Sequence, residues 1–195
     1  EHAFFWVEDR YPVLIPELCS GCGACRIACP VNAISMVKKI SGEIFVNKVT
    51  YNLTLVTGKS KAGISETGPI VYQVRKFVME KAKKEKVDYV VIDTAPGLHC
   101  NVIQALLLAD KVYAVTEPTP LGAYDLDVML SLAKRLRIKA EIVLNKANVG
   151  KRRLIKKVSK KFNVPITVEI PYDKELVKFY SNGKLLEFVK KVDWW

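Results

Sequence analysis

The chain has 195 residues, of which 50% are hydrophobic and 26% charged. That balance excludes a disordered or fibrous protein and leaves room for one sizeable core with a small satellite. The longest apolar stretches (Val87–Ile92, Ala105–Ala109, Ile142–Leu144) are far shorter than a membrane span, and the start lacks the basic, apolar, small-residue order of a secretory signal, so no membrane partner is expected. Lys and Arg number 31 against 20 Asp and Glu, a net charge of +11. Such a surface favours anionic partners. Its Lys/Glu-rich character, with only Gln73 and Gln104 as glutamines, is equally that of a heat-adapted surface. Residue 1 is Glu rather than Met, which reads as a processed, trimmed or partial chain.

Residues 1–48 hold a cysteine cluster, short apolar pieces and turn residues, and are expected to form a small domain of their own. From residue 49 to 195 the pattern becomes strand, helix, strand, helix. Lys48–Val56 alternates and predicts a strand, and Thr57–Pro69 a polar loop. Ile70–Lys86 carries Val71, Val74, Phe77, Val78 and Ala82 at helical spacing. Val87–Ile92 predicts a buried parallel strand, Leu98–Leu108 a helix, Val112–Val115 another buried strand and Leu121–Leu136 an amphipathic helix. Ala140–Leu144 and Ile166–Ile170 predict strands; Lys151–Phe162, Lys174–Tyr180 and Lys184–Val192 predict helices. The alternation implies an α/β fold, a mostly parallel sheet with helices on both faces, in which ligands bind at the carboxyl ends of the strands.

Five cysteines are present, and four lie within the run Cys19-Ser20-Gly21-Cys22-Gly23-Ala24-Cys25-Arg26-Ile27-Ala28-Cys29-Pro30. Thiols so clustered, without a signal peptide, point to a reducing, cytoplasmic setting and to metal ligation. The spacing C-x2-C-x2-C-x3-C-P is that of bacterial 4Fe-4S ferredoxins. Gly21, Gly23 and Ala24 let the backbone approach inorganic sulfide, and Pro30 turns the chain away. Zinc sites instead favour two separated C-x2-C pairs, which are absent here. In two-cluster ferredoxins the last cysteine of such a run serves the other cluster, so Cys29 is expected to do so, giving one or two clusters. Residues 1–7 resemble residues 31–37: Ala3 aligns with Ala33, Phe4 with Ile34, Val7 with Val37, and His2 with the turn residue Asn32. The expectation is a duplicated half-domain whose first cysteine run lies upstream of Glu1 in a longer parent.

The strand ends carry the remaining chemistry. Asp93-Thr94-Ala95-Pro96-Gly97 follows a predicted strand, and a carboxylate there can hold a Mg²⁺-bound water facing a triphosphate, or else cap the next helix. Thr116-Glu117-Pro118-Thr119-Pro120, Asn145-Lys146-Ala147 and Pro171-Tyr172-Asp173 follow the next strands. The amide of Asn145 both donates and accepts, as reading a base edge requires. Cys100 reads as a buried core thiol, Trp194-Trp195 as a packing or partner contact, and the lysines of 151–161 as a solvated helix face, so nucleic acid is not an expected partner.

In order, "VIDTAPGLHC", "VTEPTPLGAYDL", "VLNKANVG" and "IPYDKELVKFYSNG" resemble the MinD/Mrp-type branch of P-loop ATPases, related to the nitrogenase iron protein, and "PELCSGCGACRIACP" resembles the second cysteine run of the subgroup with an inserted ferredoxin domain. The resemblance covers nearly the whole chain. It implies Asp93 as the catalytic Mg²⁺-water residue and Gly97 in the γ-phosphate-sensing turn. It also implies Asn145 at the adenine edge, Pro171 and Asp173 lining the base pocket, and ATP with Mg²⁺ bridging a homodimer. Partners would be a redox protein or an apo iron–sulfur client. The family's phosphate loop is not in these residues: Gly58-Lys59-Ser60 lacks the earlier glycine of a P-loop, whose place is taken by Leu53. ATP hydrolysis is therefore expected of a longer parent rather than of this chain alone. The other reading is a non-catalytic ferredoxin-like carrier or binding module on a degenerate nucleotide-binding fold.

Overall fold

The computed structural model describes residues 3–6, 8, 11–19, 21–64 and 67–192. Glu1, His2, Val7, Ser20 and Trp194-Trp195, to which the repeat, the cysteine run and the tail refer, lie outside them. The chain packs as two units, one of Glu1–Thr94 with His99–Ala105 and one of Ala95–Leu98 with Leu106–Trp195.

In the first unit, β1 (Phe4–Phe5) pairs antiparallel with β2 (Val13–Leu14), and the Ile15 N–H donates to the Ala3 carbonyl at 2.9 Å. A 3-10 turn at Pro16–Leu18 leads into the cysteine run, within which α1 (Ala24–Ala28) forms. β3 (Gly42–Thr50) and β4 (Leu53–Ser60) then make an antiparallel hairpin. This corrects the single strand expected over Lys48–Val56. The alternating pattern runs straight through a turn at Tyr51-Asn52, where the Thr50 hydroxyl donates to Asn52 Oδ1 at 2.8 Å and no glycine marks the reversal. It also places Gly58-Lys59-Ser60 on a strand, paired from Gly58 to Ile44, rather than in a loop.

α2 (Gly68–Glu85) packs on β4. Pro69 suits its first turn because its missing N–H is not needed there, and Lys86 ends it in the left-handed region at φ 53. A Cβ on Gly58 would stand 2.5 Å from the Val74 methyl, so glycine there allows the helix to approach the strand. Val87–Ile92 is the second correction. It pairs with no strand among the described residues, and Val91 is 92% exposed. A strand exists only through a neighbour that takes its N–H and C=O groups; an apolar run alone supplies none.

The second unit is a three-stranded parallel sheet in the order β5 (Lys111–Thr116), β6 (Lys139–Leu144), β7 (Ile166–Glu169). The crossover helices are α4 (Pro120–Leu136) and α5 (Arg153–Phe162). Ala123, Leu126, Leu130 and Ala133 fall on one stripe of α4, which packs on β5, β6 and α5. With Ala114, Ile142, Leu144, Ala147, Ile155 and Val158 they make the core. Each fully buried Leu or Ile there contributes about 1.5–3 kcal/mol by leaving water. β5 alternates: Val112, Ala114 and Thr116 are buried, Tyr113 and Val115 exposed, so the strand expected to be buried throughout has one wet face. Near the amino end of the sheet Lys111 and Glu141 pair at 2.7 Å. The lysine's hydrogen bond holds Glu141 below the usual carboxylate range, and the same bond raises Lys111. α6 (Lys174–Ser181) and α7 (Leu185–Val189) close the unit, with the Phe179 and Phe188 rings 5.5 Å apart. No helix among the described residues is long and apolar enough to cross a membrane.

Candidate functional site

The four clustered thiols sit on one short stretch of chain. Cys19 ends the 3-10 turn, its N–H donating to the Pro16 carbonyl at 3.3 Å. Gly21 and Gly23 take φ 74 and 77, left-handed values that other residues reach only with strain, and nothing lies within 4 Å of where their Cβ atoms would stand. Gly23 caps α1, and Cys25 lies on that helix just before Cys29 leaves it. Cys19 and Cys22 are exposed, Cys25 and Cys29 half-buried, and all are free thiols. Among the described residues no three Cys, His, Asp or Glu side chains are already gathered closely enough to hold a single ion. The donor set, four soft sulfurs on a loop with open space beside its glycines, fits an iron–sulfur cluster.

At the carboxyl edge of β5–β7 three loops are fastened into one platform. Thr119 caps α4 by accepting the Gly122 N–H at 3.0 Å, and Thr116, buried, donates its hydroxyl to the Gly122 carbonyl at 2.9 Å. Asn145 donates its N–H to the Thr116 carbonyl at 2.8 Å, and its Oδ1 accepts the Lys146 N–H at 3.0 Å. Lys146, at φ 49, reaches Glu117 at 2.7 Å. The Ala147 N–H donates to the Ile170 carbonyl at 2.9 Å. Asn148 then clamps Tyr172 both ways: its Oδ1 accepts the Tyr172 N–H at 2.6 Å and its Nδ2 donates to the Tyr172 carbonyl at 3.2 Å. Arg152 ties the Ala147 carbonyl to Glu169.

Asn145, Pro171 and Asp173 thus come together on adjacent loops. The Asp173 carboxylate is engaged as the α6 cap, accepting the Glu175 and Leu176 N–H groups at 2.6 and 3.3 Å. Asp93 stands exposed in the first unit; α3 (Cys100–Leu106) begins too far on for Asp93 to cap it. Gly97 lies in the second unit with φ 86, a left-handed value that glycine takes without strain. Cys100 is exposed rather than a core thiol, because it opens α3 instead of lying on a buried turn of it. Sequence reasoning named the segments that hold Glu117 and Lys146 without assigning those side chains a part, and it missed the clamp of Asn148 and the tie of Arg152. The Tyr172 and Glu169 partners of Asn148 and Arg152 lie far along the chain and leave no local trace. On α5, Lys161 pairs with Asp127 at 2.6 Å, while Lys156, Lys157 and Lys160 face solvent.

Comparison with known proteins agrees with both halves of this picture. Residues 12–35, which include all four clustered cysteines, match the 4Fe-4S binding domain family. The fold is similar to a ParA family ATPase from Chlorobium tepidum (TM-score 0.58, 19% identity, 75% of this chain and 62% of that one). It is also similar to the MinD cell division protein of Aquifex aeolicus (TM-score 0.51, 20% identity, 64% and 56%). The chain has a ParA/MinD-like α/β fold carrying a 4Fe-4S domain. Two uncharacterized Methanocaldococcus jannaschii proteins are similar in sequence. MJ0579 is 37% identical over 184 residues, covering 94% of this chain and 61% of that protein. MJ0578 is 30% identical over 173 residues, covering 88% and 57%. The chain therefore spans about three-fifths of the length of the relatives it matches.

Proposed function

We propose that this chain belongs to an iron–sulfur protein that couples nucleotide state to electron transfer or to carriage of a cluster. The observation that carries the reading is a single chain holding both a four-thiol 4Fe-4S domain and a ParA/MinD-like fold. Residues 1–48 form the cluster part, with Cys19, Cys22, Cys25 and Cys29 as ligands, Cys29 serving a second cluster where two are bound. Residues 49–195 form the nucleotide part. Asn145 is assigned the adenine edge on the platform of fused loops, with Pro171 and Asp173 beside it; by the resemblance alone, Asp93 is assigned the Mg²⁺-bound water and Gly97 the γ-phosphate-sensing turn. No phosphate-cradling loop is recognised in these residues, so no hydrolytic step is assigned to them. The working form is a cytoplasmic homodimer, and its partner is a redox protein or an apo iron–sulfur client.

Anaerobic reconstitution tests the first half. The reading expects brown protein with about four irons and four sulfides per chain for one cluster, or about eight of each for two. Colourless or zinc-loaded protein refutes it. The second half is read in the protein expressed from its whole reading frame, as the rate at which a chelator strips the clusters with and without ATP and Mg²⁺. A rate that ATP leaves unchanged returns the protein to the carrier reading. Asp93→Asn is expected to abolish any ATP hydrolysis with iron content intact; unchanged turnover removes Asp93 from its role.

A further inference from the structure

Just past the last of the clustered thiols the chain makes a hydrogen-bonded turn. The Asn32 N–H donates to the Cys29 carbonyl at 3.3 Å, closing a four-residue turn with Pro30 in its second place, where a fixed φ is favoured. Asn32 then takes φ 52. Asn enters this left-handed region more readily than any β-branched residue. The reversal brings the next N–H back onto the sulfur: Ala33 N donates to Cys29 Sγ at 3.2 Å. Among the described residues, no other thiol of the cluster receives a backbone donor.

We infer that the Ala33 amide sets the reduction potential of the cluster that Cys29 ligates, and that the left-handed backbone of Asn32 is the positioning device. This rests on Cys29 binding iron. One-electron reduction adds a negative charge shared between cluster and thiolates. An N–H aimed at one of those sulfurs stabilises the reduced form more than the oxidised form, and hydrogen bonds to sulfur are among the protein's levers on potential. A donor facing a charged acceptor is also stronger than one between neutral groups. Losing the bond therefore moves the potential downward and makes the cluster harder to reduce.

The test titrates reconstituted protein under argon with dithionite, which supplies the electron, and follows the reduced cluster by electron paramagnetic resonance. Ala33→Pro deletes the N–H. Asn32→Val keeps it but disfavours the positive φ, swinging the donor off the sulfur. Asn32→Gly accepts the same φ and serves as the control. Ala33→Pro and Asn32→Val are expected to shift the one-electron equilibrium about tenfold, about 59 mV more negative, and Asn32→Gly to leave it near wild type. In a protein with two clusters only one potential moves.

If Ala33→Pro loses its cluster, the Asn32→Val and Asn32→Gly pair still decides. Loaded variants at the wild-type potential overturn this inference alone. So does an equal shift in Asn32→Gly and Asn32→Val, since the side chain rather than the backbone would then be acting. Wild-type protein that takes up no iron overturns both this inference and the cluster reading beneath it.

Discussion

Asn148→Ala removes both arms of the clamp that joins the β6–α5 loop to the β7–α6 loop. The arms are 2.6 and 3.2 Å long, the second at the outer end of the normal range. Each net intramolecular hydrogen bond is worth about 0.5–1.5 kcal/mol. The cost stays near those values because Tyr172 and Asn148 are both exposed, so the freed N–H and C=O reach water rather than being left unsatisfied. The expected loss is about 1–2 kcal/mol. For a chain of this size that is a fall of about 3–6 °C in Tm. Thermal denaturation followed by circular dichroism measures it, and amide hydrogen exchange at Tyr172 reports the clamp directly. Asn148→Asp is expected to be no better than alanine: it keeps an acceptor for the Tyr172 N–H but turns a lone pair toward the Tyr172 carbonyl. A Tm within about 1 °C of wild type, with Tyr172 protection unchanged in both variants, would refute the clamp as a fastener of the platform.

Three further outcomes follow from the same geometry. Gly150→Ala forces φ 106 on a residue with a side chain and places its Cβ 2.7 Å from the Pro118 carbonyl oxygen, whereas Gly183→Ala meets φ 68 with nothing within 4 Å. Urea unfolding should show the first costing about 1–3 kcal/mol and more than the second; equal costs would mean that the Pro118 contact relaxes freely. Glu141 has its folded pKa lowered by Lys111, so its contribution is present above the unfolded glutamate pKa and lost as pH falls through the folded value. Lys111, raised, contributes below the unfolded lysine pKa and loses that contribution as pH climbs through its folded value. Glu141→Gln should accordingly flatten the acid limb of Tm against pH, and an unaltered limb counts against the pair. Cys22→Ser should lower iron content after reconstitution while Cys100→Ser leaves it at the wild-type level; iron loss from Cys100→Ser would make that thiol a ligand.

Much of the fold was legible because its signals are local. β6 and β7, α4 and α5, and the helix at Gly68–Glu85 lie within a few residues of where periodicity put them, since apolar spacing acts within a turn or two of chain. The hairpin at Gly42–Ser60 was not legible. Its reversal uses Tyr51-Asn52, and the alternation on either side reads as one strand. Val87–Ile92 shows the opposite failure: a sequence with strand composition has nothing to pair with among the described residues.

What the sequence decided alone is the chemistry of the cysteine run. Four thiols at fixed spacing, with small residues between and a proline after, specify cluster binding whatever the surrounding fold, because each ligand is held by the few residues next to it. What only the tertiary structure decided is the platform at the carboxyl edge of β5–β7. The partners of Asn148, Glu117 and Gly150 belong to other loops, and those loops meet only because three parallel strands end side by side. The Ala33 amide on Cys29 stands between the two cases: its residues are neighbours in the chain, but only the backbone's left-handed turn at Asn32 shows where the donor points.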